Sequence, residues 1–140
     1  VRVGFNRPIE SVLNGQQEGT WRIMIDEIPQ AVKESSVNFL MSFNLPLFVG
    51  KQENIKIKFN IDKNKLIATN QANSHIQISN LKIVDANKKE VFKSETMNYL
   101  LANKSLSYDL SSSQITNPNK YYVQLFTDKN DDMVELKLSD

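Results

Sequence analysis

The histidine and a pair of neighbouring carboxylates are the first candidates for chemistry. His75 is the single histidine of the chain, and no carboxylates lie near it at the spacing of metal ligands, so it predicts an ordinary turn or strand-start residue. Asp26 and Glu27 are adjacent. Because neighbouring side chains in a strand point to opposite faces, these two cannot act on one substrate atom. We therefore expect salt bridges or solvation for both.

Three further polar patterns resemble functional motifs. Asp128, Asp131 and Asp132 suggest calcium, but the glycine and the distal glutamate of an EF-hand loop are missing, so an acidic hairpin turn is expected. Ser111-Ser112-Ser113 has neither elbow glycines nor a paired base. Asn103-Lys104-Ser105 completes a glycosylation triplet, a pattern that is common by chance. The sequence therefore predicts no catalytic residue, no metal and no cofactor, and it favours a binding protein over an enzyme.

The composition limits the partners. The 140 residues are enough for one sandwich, or for one complete domain with part of another. The 17 basic and 16 acidic side chains leave a net charge of +1, which gives no reason to expect nucleic acid as a partner. No apolar run approaches the roughly 20 residues that cross a bilayer, so we expect no direct membrane insertion. The chain begins at Val1 without methionine, which suggests processing, truncation or an incomplete sequence, with any export signal already removed.

Period-two alternation along the chain predicts strands that are buried on one face. Trp21, Ile23 and Ile25 alternate with more polar residues and the run stops at Pro29. A second run continues into an extended aromatic-rich segment; its alternating large apolar residues are Val37, Phe39, Met41 and Phe43. Only residues 29–36 offer a weak helical candidate.

A polar patch divides the chain into two β-rich parts. Lys51-Gln52-Glu53-Asn54 follows Gly50 and is interpreted as a linker. About seven short strands are predicted after Gly50, the last two forming a hairpin around residues 128–132. We therefore expect an all-β protein with an Ig-like β-sandwich, in which residues 1–50 are the C-terminal strands of one Ig-like domain and residues 51–140 form a second.

The run from Val37 to Phe43 predicts more than a core strand. It is expected near the end of a domain, where a strand lies at a sheet edge. An edge strand with four large apolar side chains is a liability unless a partner pairs with it. β-Strand addition to another chain is one use of such an edge.

Two segments resemble the PapD-like periplasmic pilus-assembly chaperones. Thr20-Trp21-Arg22-Ile23-Met24-Ile25-Asp26-Glu27-Ile28-Pro29 is similar to the penultimate strand of that family's first domain. Residues 37–49 resemble its final strand, and the ending Leu45-Pro46-Leu47-Phe48-Val49 is closest to the archaic chaperone–usher branch. A third set resembles a pattern of the second domain; its residues are Asn70, Asn73, His75, Ile76, Ile78 and Leu81.

The resemblance implies a two-domain periplasmic chaperone of a Gram-negative bacterium that binds pilus subunits and delivers them to an outer-membrane usher. Chaperone–pilin complexes are an established example of β-strand addition. Carried over to this sequence, the subunit-binding side chains are Val37, Phe39, Met41 and Phe43. Pro46 stands where the better-known branch has a lysine that anchors the subunit's carboxylate, so that anchor is not expected. The alternative is a structural pilin or adhesin with Ig-like domains, and exposed strand edges would also allow self-association.

Overall fold

The computed structural model describes residues 2–4, 6–13, 17–31, 37–111, 113 and 115–139. The chain divides into two compact units, Val1–Gly50 and Lys51–Asp140. Most of the described residues lie in antiparallel strands, so the prediction of a nearly all-β chain is confirmed. No helix among the described residues is long and apolar enough to span a membrane.

The first unit contains one helical turn and one pair of strands. Helix α1 (Ile9–Leu13) was not predicted. Strands β1 (Gly19–Asp26) and β2 (Ser42–Val49) pair antiparallel, from Gly19 opposite Val49 to Asp26 opposite Ser42. The second strand thus begins at Ser42, five residues later than the alternation predicted. Of the weak helical candidate, residues 29–31 are not helical, and residues 32–36 lie outside the described residues.

The second unit has eight strands where about seven were predicted, and they form two sheets. The larger sheet has the order β10-β9-β5-β6, with β7 also pairing β5, and the smaller one has the order β3-β4-β8. The longest helical element among the residues described after Gly50 is a single turn of 3₁₀ helix at Pro118–Lys120. The strands are β3 (Ile57–Asp62), β4 (Lys65–Asn70), β5 (Ile76–Val84), β6 (Glu90–Ser94), β7 (Asn98–Leu100), β8 (Ser105–Asp109), β9 (Tyr122–Thr127) and β10 (Asn130–Lys137).

One hydrophobic cluster joins the two sheets of the second unit. Alternate residues of the smaller sheet, such as Phe59 and Leu66, are fully buried together with Ile78 and Leu125 of the larger sheet. The polar residues between them remain at least partly exposed, as the period-two alternation predicted. Burial of apolar surface at roughly 25 cal/mol per Å² makes this cluster the main source of stability in the unit.

A bulge at Asn80 changes the alternation within β5. Asn80 adopts a φ of 50°, a left-handed conformation that asparagine tolerates better than most residues, and the pairing with β9 shifts between Ser79 and Lys82. As a result, the core residue that follows Ile78 is Leu81, three positions later. The extra residue keeps both halves of the strand directed at the same core.

The last described residues close the smaller sheet. Leu138 is fully buried in the core, and its N–H donates to the carbonyl of Tyr121 at 3.1 Å. Ser139 then forms a parallel bridge with Asn60, and its N–H and hydroxyl both donate to the carbonyl of Phe59, at 3.1 and 2.9 Å. The chain thus passes from β10 of one sheet to the edge of the other.

A buried asparagine ties two loops together at one end of the second unit, the β4–β5 loop and the β7–β8 turn. The amide nitrogen of Asn70 donates to the carbonyls of Ser74, Leu100 and Leu101 at 2.8, 3.2 and 3.2 Å, and its oxygen accepts the N–H of Ala72 at 2.9 Å. Because Asn70 is almost completely buried, removing it would leave these backbone groups unpaired.

Replacing Asn70 with alanine should lower the free energy of unfolding by about 2–4 kcal/mol, because buried backbone groups lose their partners. Urea denaturation followed by far-UV circular dichroism measures this loss. Asn54 is exposed, so the matched change Asn54→Ala should alter stability by less than about 0.5 kcal/mol. Equal losses for the two variants would show that the network of Asn70 contributes nothing.

The core also contains a phenol without a good partner. Tyr108 is buried, and its hydroxyl makes no hydrogen bond of ordinary geometry with the described residues. Burial raises the pKa of this phenol, and the side chain of Asn98 lowers it only in part. A buried hydroxyl in this position opposes folding by its lost hydration.

We expect Tyr108→Phe to leave the free energy of unfolding unchanged near neutral pH, or to raise it by up to about 1 kcal/mol. The pKa of Tyr108 in the folded state lies above the unfolded value of about 10. Its titration therefore leaves the free energy of unfolding unchanged below about pH 10 and lowers it as the pH rises through the folded pKa. Denaturation at neutral and alkaline pH should therefore show a steeper alkaline loss in the wild type. Identical pH dependence in both proteins would contradict the burial argument.

Candidate functional site

The histidine and the nearest aspartate serve the structure of the second unit. His75 is buried, and its Nε2 lies 3.4 Å from Oδ2 of Asp128. The other carboxylate oxygen of Asp128 accepts the N–H of Gln77 at 2.9 Å. Asp131 and Asp132 lie exposed in β10. No group of three His, Cys, Asp or Glu side chains in the described part of the chain could hold a metal ion.

Glu53 holds the neighbouring loop in the same way. Its carboxylate accepts a hydrogen bond from the N–H of Asn73 at 3.1 Å and forms an ion pair with Nζ of Lys56, also at 3.1 Å. The backbone hydrogen bond from Asn73 is the largest cause of the lowered pKa of Glu53, and the hydrogen bond from Lys56 adds to it. Its own N–H donates to the hydroxyl of Ser74 at 2.9 Å. These polar residues are therefore engaged in loop structure.

The serine and glycosylation patterns also fall in turns. Ser111 donates its N–H to the carboxylate of Asp109, and the hydroxyl of Ser113 donates to the carbonyl of Val91 at 3.0 Å. Ser112 lies outside the described residues. Asn103 is exposed in the turn before β8, with a φ of 55°, and its amide donates to Asn73 at 3.2 Å. Neither serine that the structure describes is paired with a base.

The adjacent carboxylates of the first unit stabilise the end of the strand pair. The carboxylate of Asp26 accepts a hydrogen bond from the hydroxyl of Ser42, directly across the ladder. Glu27 donates its N–H to the carbonyl of Met41 at 2.9 Å, and its Oε2 accepts the N–H of Met41 at 3.0 Å. The two carboxylates thus act on different groups, as the opposite faces of a strand require.

The four predicted binding residues lie at the start of β2 and just before it. Val37, Phe39 and Met41 precede the strand, whereas Phe43 is its second residue and lies opposite Ile25. All four side chains are exposed. Their role as binding residues stays a prediction.

We use the name apolar ribbon face for one side of the β1–β2 pair. Residues that are paired across an antiparallel ladder lie on the same face. The pairs on this face are Ile25 with Phe43, Ile23 with Leu45, Trp21 with Leu47, and Gly19 with Val49. The opposite face carries mostly polar residues, among them Arg22, whose guanidinium donates to Asn44 at 3.2 Å.

The apolar ribbon face is covered at the end of β2 and uncovered at its start. The exposed fraction of the residue is 6% at Val49, 46% at Leu45 and 44% at Phe43, and just before the strand it reaches 57% at Met41 and 89% at Phe39. Trp21 is also exposed. Val49 is the only hydrophobic residue buried among the described residues of the first unit, so this unit lacks the covered core that the second unit has.

The sequence did not show that the two alternating runs share one face. Trp21, Ile23 and Leu45 lie on the same side as Phe43, because the register pairs β1 with β2. The signal was present: these residues share the odd-numbered alternation that identified the two strands. What the alternation could not supply was the pairing that sets one run beside the other.

A cleft of about 410 Å³ lies beside Phe39, between residues 27–30 and 38–40. Among the described residues that line it, Glu27 has the one ionisable side chain, and its carboxylate already accepts the N–H of Met41. The other described lining residues have apolar or amide side chains. The arrangement can therefore bind by burying apolar surface and by pairing backbone groups.

No protein-family model matches the chain, and no curated protein or solved structure matches it either.

The apolar ribbon face should bind a hydrophobic dye such as ANS, whose fluorescence rises on exposed apolar surface. Replacing both Phe43 and Leu45 with serine should remove most of this enhancement, because both exposed side chains lie on that face. The control is Asn44→Ser, which changes the opposite face. Undiminished dye binding in the double variant would place the uncovered surface elsewhere.

Proposed function

We propose that this chain is a non-enzymatic chaperone of the periplasm that binds pilus subunits by lending them a β-strand, and that it delivers them to an outer-membrane usher. The observation that carries the proposal is the exposed segment from Val37 to Phe43, with large apolar side chains at every second residue. A subunit that lacks one strand of its sheet offers both unpaired backbone groups and an apolar groove. Strand addition satisfies both requirements at once.

The energetics are adequate for holding an unstable subunit. Val37 and Phe39 are more than four-fifths exposed, so nearly all of their apolar surface is available for a partner. Burying these two side chains and that of Met41 would contribute about 5–9 kcal/mol gross. Ordering the segment and the subunit lowers this figure. The net affinity would thus be strong enough for capture while still allowing release to a competing strand.

The proposed architecture is a pair of Ig-like domains. In this proposal the second unit is a complete sandwich, and the first contains the C-terminal strands of another one. Support comes from the two antiparallel sheets of the second unit, which share one core. Their eight strands are close in number to the seven of a constant-type Ig domain. The uncovered apolar ribbon face of the first unit agrees with a sandwich half that requires further strands.

The same uncovered face favours one alternative function. A structural pilin or adhesin subunit accepts a strand from its neighbour, and such a subunit also exposes apolar surface until the strand arrives. In that case the apolar ribbon face would be the receiving groove and Val37–Phe43 an ordinary part of it. The two functions differ in which polypeptide supplies the inserted side chains.

The test is capture of a pilus subunit whose own final strand is missing, by co-expression with this chain and co-purification. Phe39→Glu should abolish capture, because an unpaired charge buried in an apolar groove costs several kcal/mol. Amide protection in the second unit should be unchanged, which shows that the variant is folded. Asn38 is the exposed neighbour of Phe39, and in a strand its side chain would point to the opposite face. The control Asn38→Gln should therefore capture at least half as much subunit as the wild type.

Two results would count against the chaperone. Normal capture by Phe39→Glu would remove Phe39 from the contact and with it the observation on which the proposal depends. Failure of the wild type to capture any subunit, together with its own assembly into polymers, would favour the pilin alternative.

A further inference from the structure

All four methionines of the chain lie at its surface. They are between 46% and 66% exposed, and they are Met24, Met41, Met97 and Met133. Methionine is an apolar residue that usually fills gaps in hydrophobic cores. The core cluster described in the second unit consists instead of aliphatic and aromatic side chains, and the chain has no cysteine. The sulfur atoms of this protein therefore all belong to residues that water reaches.

Met41 differs from the other methionines in its position. It lies in the apolar segment 37–43, and its backbone N–H and carbonyl are both hydrogen-bonded to Glu27 at 3.0 and 2.9 Å. This exchange continues the β1–β2 register by one pair. Because alternate residues of a ladder share a face, Met41 lies on the side of Phe43, at the end of the apolar ribbon face.

The other three methionines provide comparisons within the same chain. Met24 is 66% exposed, against 57% for Met41, but it lies opposite Asn44 on the polar face of the strand pair. Met97 precedes β7 and Met133 lies within β10, both in the second unit. Access of water alone therefore does not distinguish Met41, whereas its place in the apolar segment does.

A peroxide oxidises an accessible thioether to a sulfoxide. A lone pair of Sδ attacks one oxygen of hydrogen peroxide, so that an S–O bond forms and the O–O bond breaks. The departing hydroxide takes the proton of the transferred oxygen and leaves as water, and the sulfur loses the two electrons that the peroxide gains. A dithiol-dependent reductase reverses the change, because the sulfoxide oxygen leaves as water while the two thiols form a disulfide.

The two polar side chains described beside Met41 offer no donor to a sulfoxide oxygen. An ionised carboxylate such as that of Glu27 only accepts hydrogen bonds, and the hydroxyl of Ser42 already donates to the carboxylate of Asp26. Residues 37–49 contain no charged side chain. An oxidised Met41 that is buried against a partner would thus bring an unpaired acceptor into an apolar contact, which weakens that contact.

We propose that Met41 is a reversible oxidation site, at which a peroxide lowers the binding capacity of the segment 37–43 while the fold is retained. The described core contains no methionine, and the hydrogen bonds with Glu27 use the backbone of Met41, so both persist after oxidation. The modification depends on this chain alone. Its effect on the capture of a pilus subunit rests on the proposed function.

The first part of the test uses the chain alone. After brief treatment with hydrogen peroxide, and removal of the peroxide by catalase, peptide mass spectrometry should locate one added oxygen on Met41. The urea midpoint of unfolding, followed by far-UV circular dichroism, should be unchanged. The fluorescence of bound ANS should fall in the wild type and in Met24→Leu. It should fall by a smaller amount in Met41→Leu, which keeps an apolar side chain of similar volume without sulfur.

Three results of this first part would overturn the oxidation site. One is an unmodified Met41 in a protein whose Met24 is fully oxidised. Another is a lowered urea midpoint, which would show that oxidation damages the fold. The third is an equal loss of dye fluorescence in the wild type, Met24→Leu and Met41→Leu, which would place the affected surface elsewhere.

The second part measures the affinity for a pilus subunit with its final strand deleted, added after the peroxide has been removed. The oxidised wild type and oxidised Met24→Leu should bind about tenfold to a hundredfold more weakly than the untreated proteins. Oxidised Met41→Leu should stay within about twofold of its untreated form. Met41→Gln, with a polar side chain of similar length, should be weakened without any oxidant. The two epimer-specific methionine sulfoxide reductases, with dithiothreitol, should restore the oxidised wild type.

The outcomes separate oxidation at Met41 from the function on which its effect on capture rests. If the untreated wild type captures the subunit but oxidised Met41→Leu loses as much affinity as the oxidised wild type, control at Met41 is wrong and the chaperone proposal stands. If the untreated wild type captures no subunit, the chaperone proposal and the control of capture both fail. The dye measurement then decides by itself whether oxidation of Met41 changes the exposed apolar surface.

Discussion

Pairing of backbone N–H and C=O groups is the constraint on which the rest of this structure depends. Each strand residue directs both groups to the same side, and the side reverses at the next residue. In the second unit the central strands β4, β5 and β9 have neighbours on both sides. In the first unit β1 and β2 pair with each other, and the exchange between Glu27 and Met41 extends their ladder by one residue. The remaining side of β2 is the one that the proposed function uses.

Side-chain burial follows the same division between the units. In the second unit, alternate residues of two sheets bury one another, and Phe59, Leu66 and Ile78 become almost inaccessible to water. In the first unit the alternation is equally regular, but Phe43 and Leu45 remain exposed on the apolar ribbon face. A two-stranded ribbon alone is marginally stable in water. The regular pattern and the exposed side chains together leave apolar surface on this face that a partner could bury.

The candidate site could be predicted in part. The binding residues were predicted from a strong, uncharged alternation of large apolar side chains at Val37, Phe39, Met41 and Phe43. The structure leaves all four exposed. The start of β2 was misplaced because side-chain alternation continues beyond the point where β1 can supply backbone partners. The bulge at Asn80, after which the buried positions of β5 change from even-numbered to odd-numbered residues, was not predicted. It depends on the register in which β5 pairs with β9, and a local sequence pattern does not contain that register.

The sequence by itself determined the nearly all-β character, the approximate positions of most strands and the apolar run before Pro46. These features are local, since period-two alternation reports which side of a strand meets water. Tertiary structure decided which runs became neighbours, and so placed Trp21 opposite Leu47 and Ile25 opposite Phe43. It also placed Asn70 at the centre of a buried network of hydrogen bonds. Register and burial arise from contacts between distant segments, and for that reason they could not be read from any single stretch of the chain.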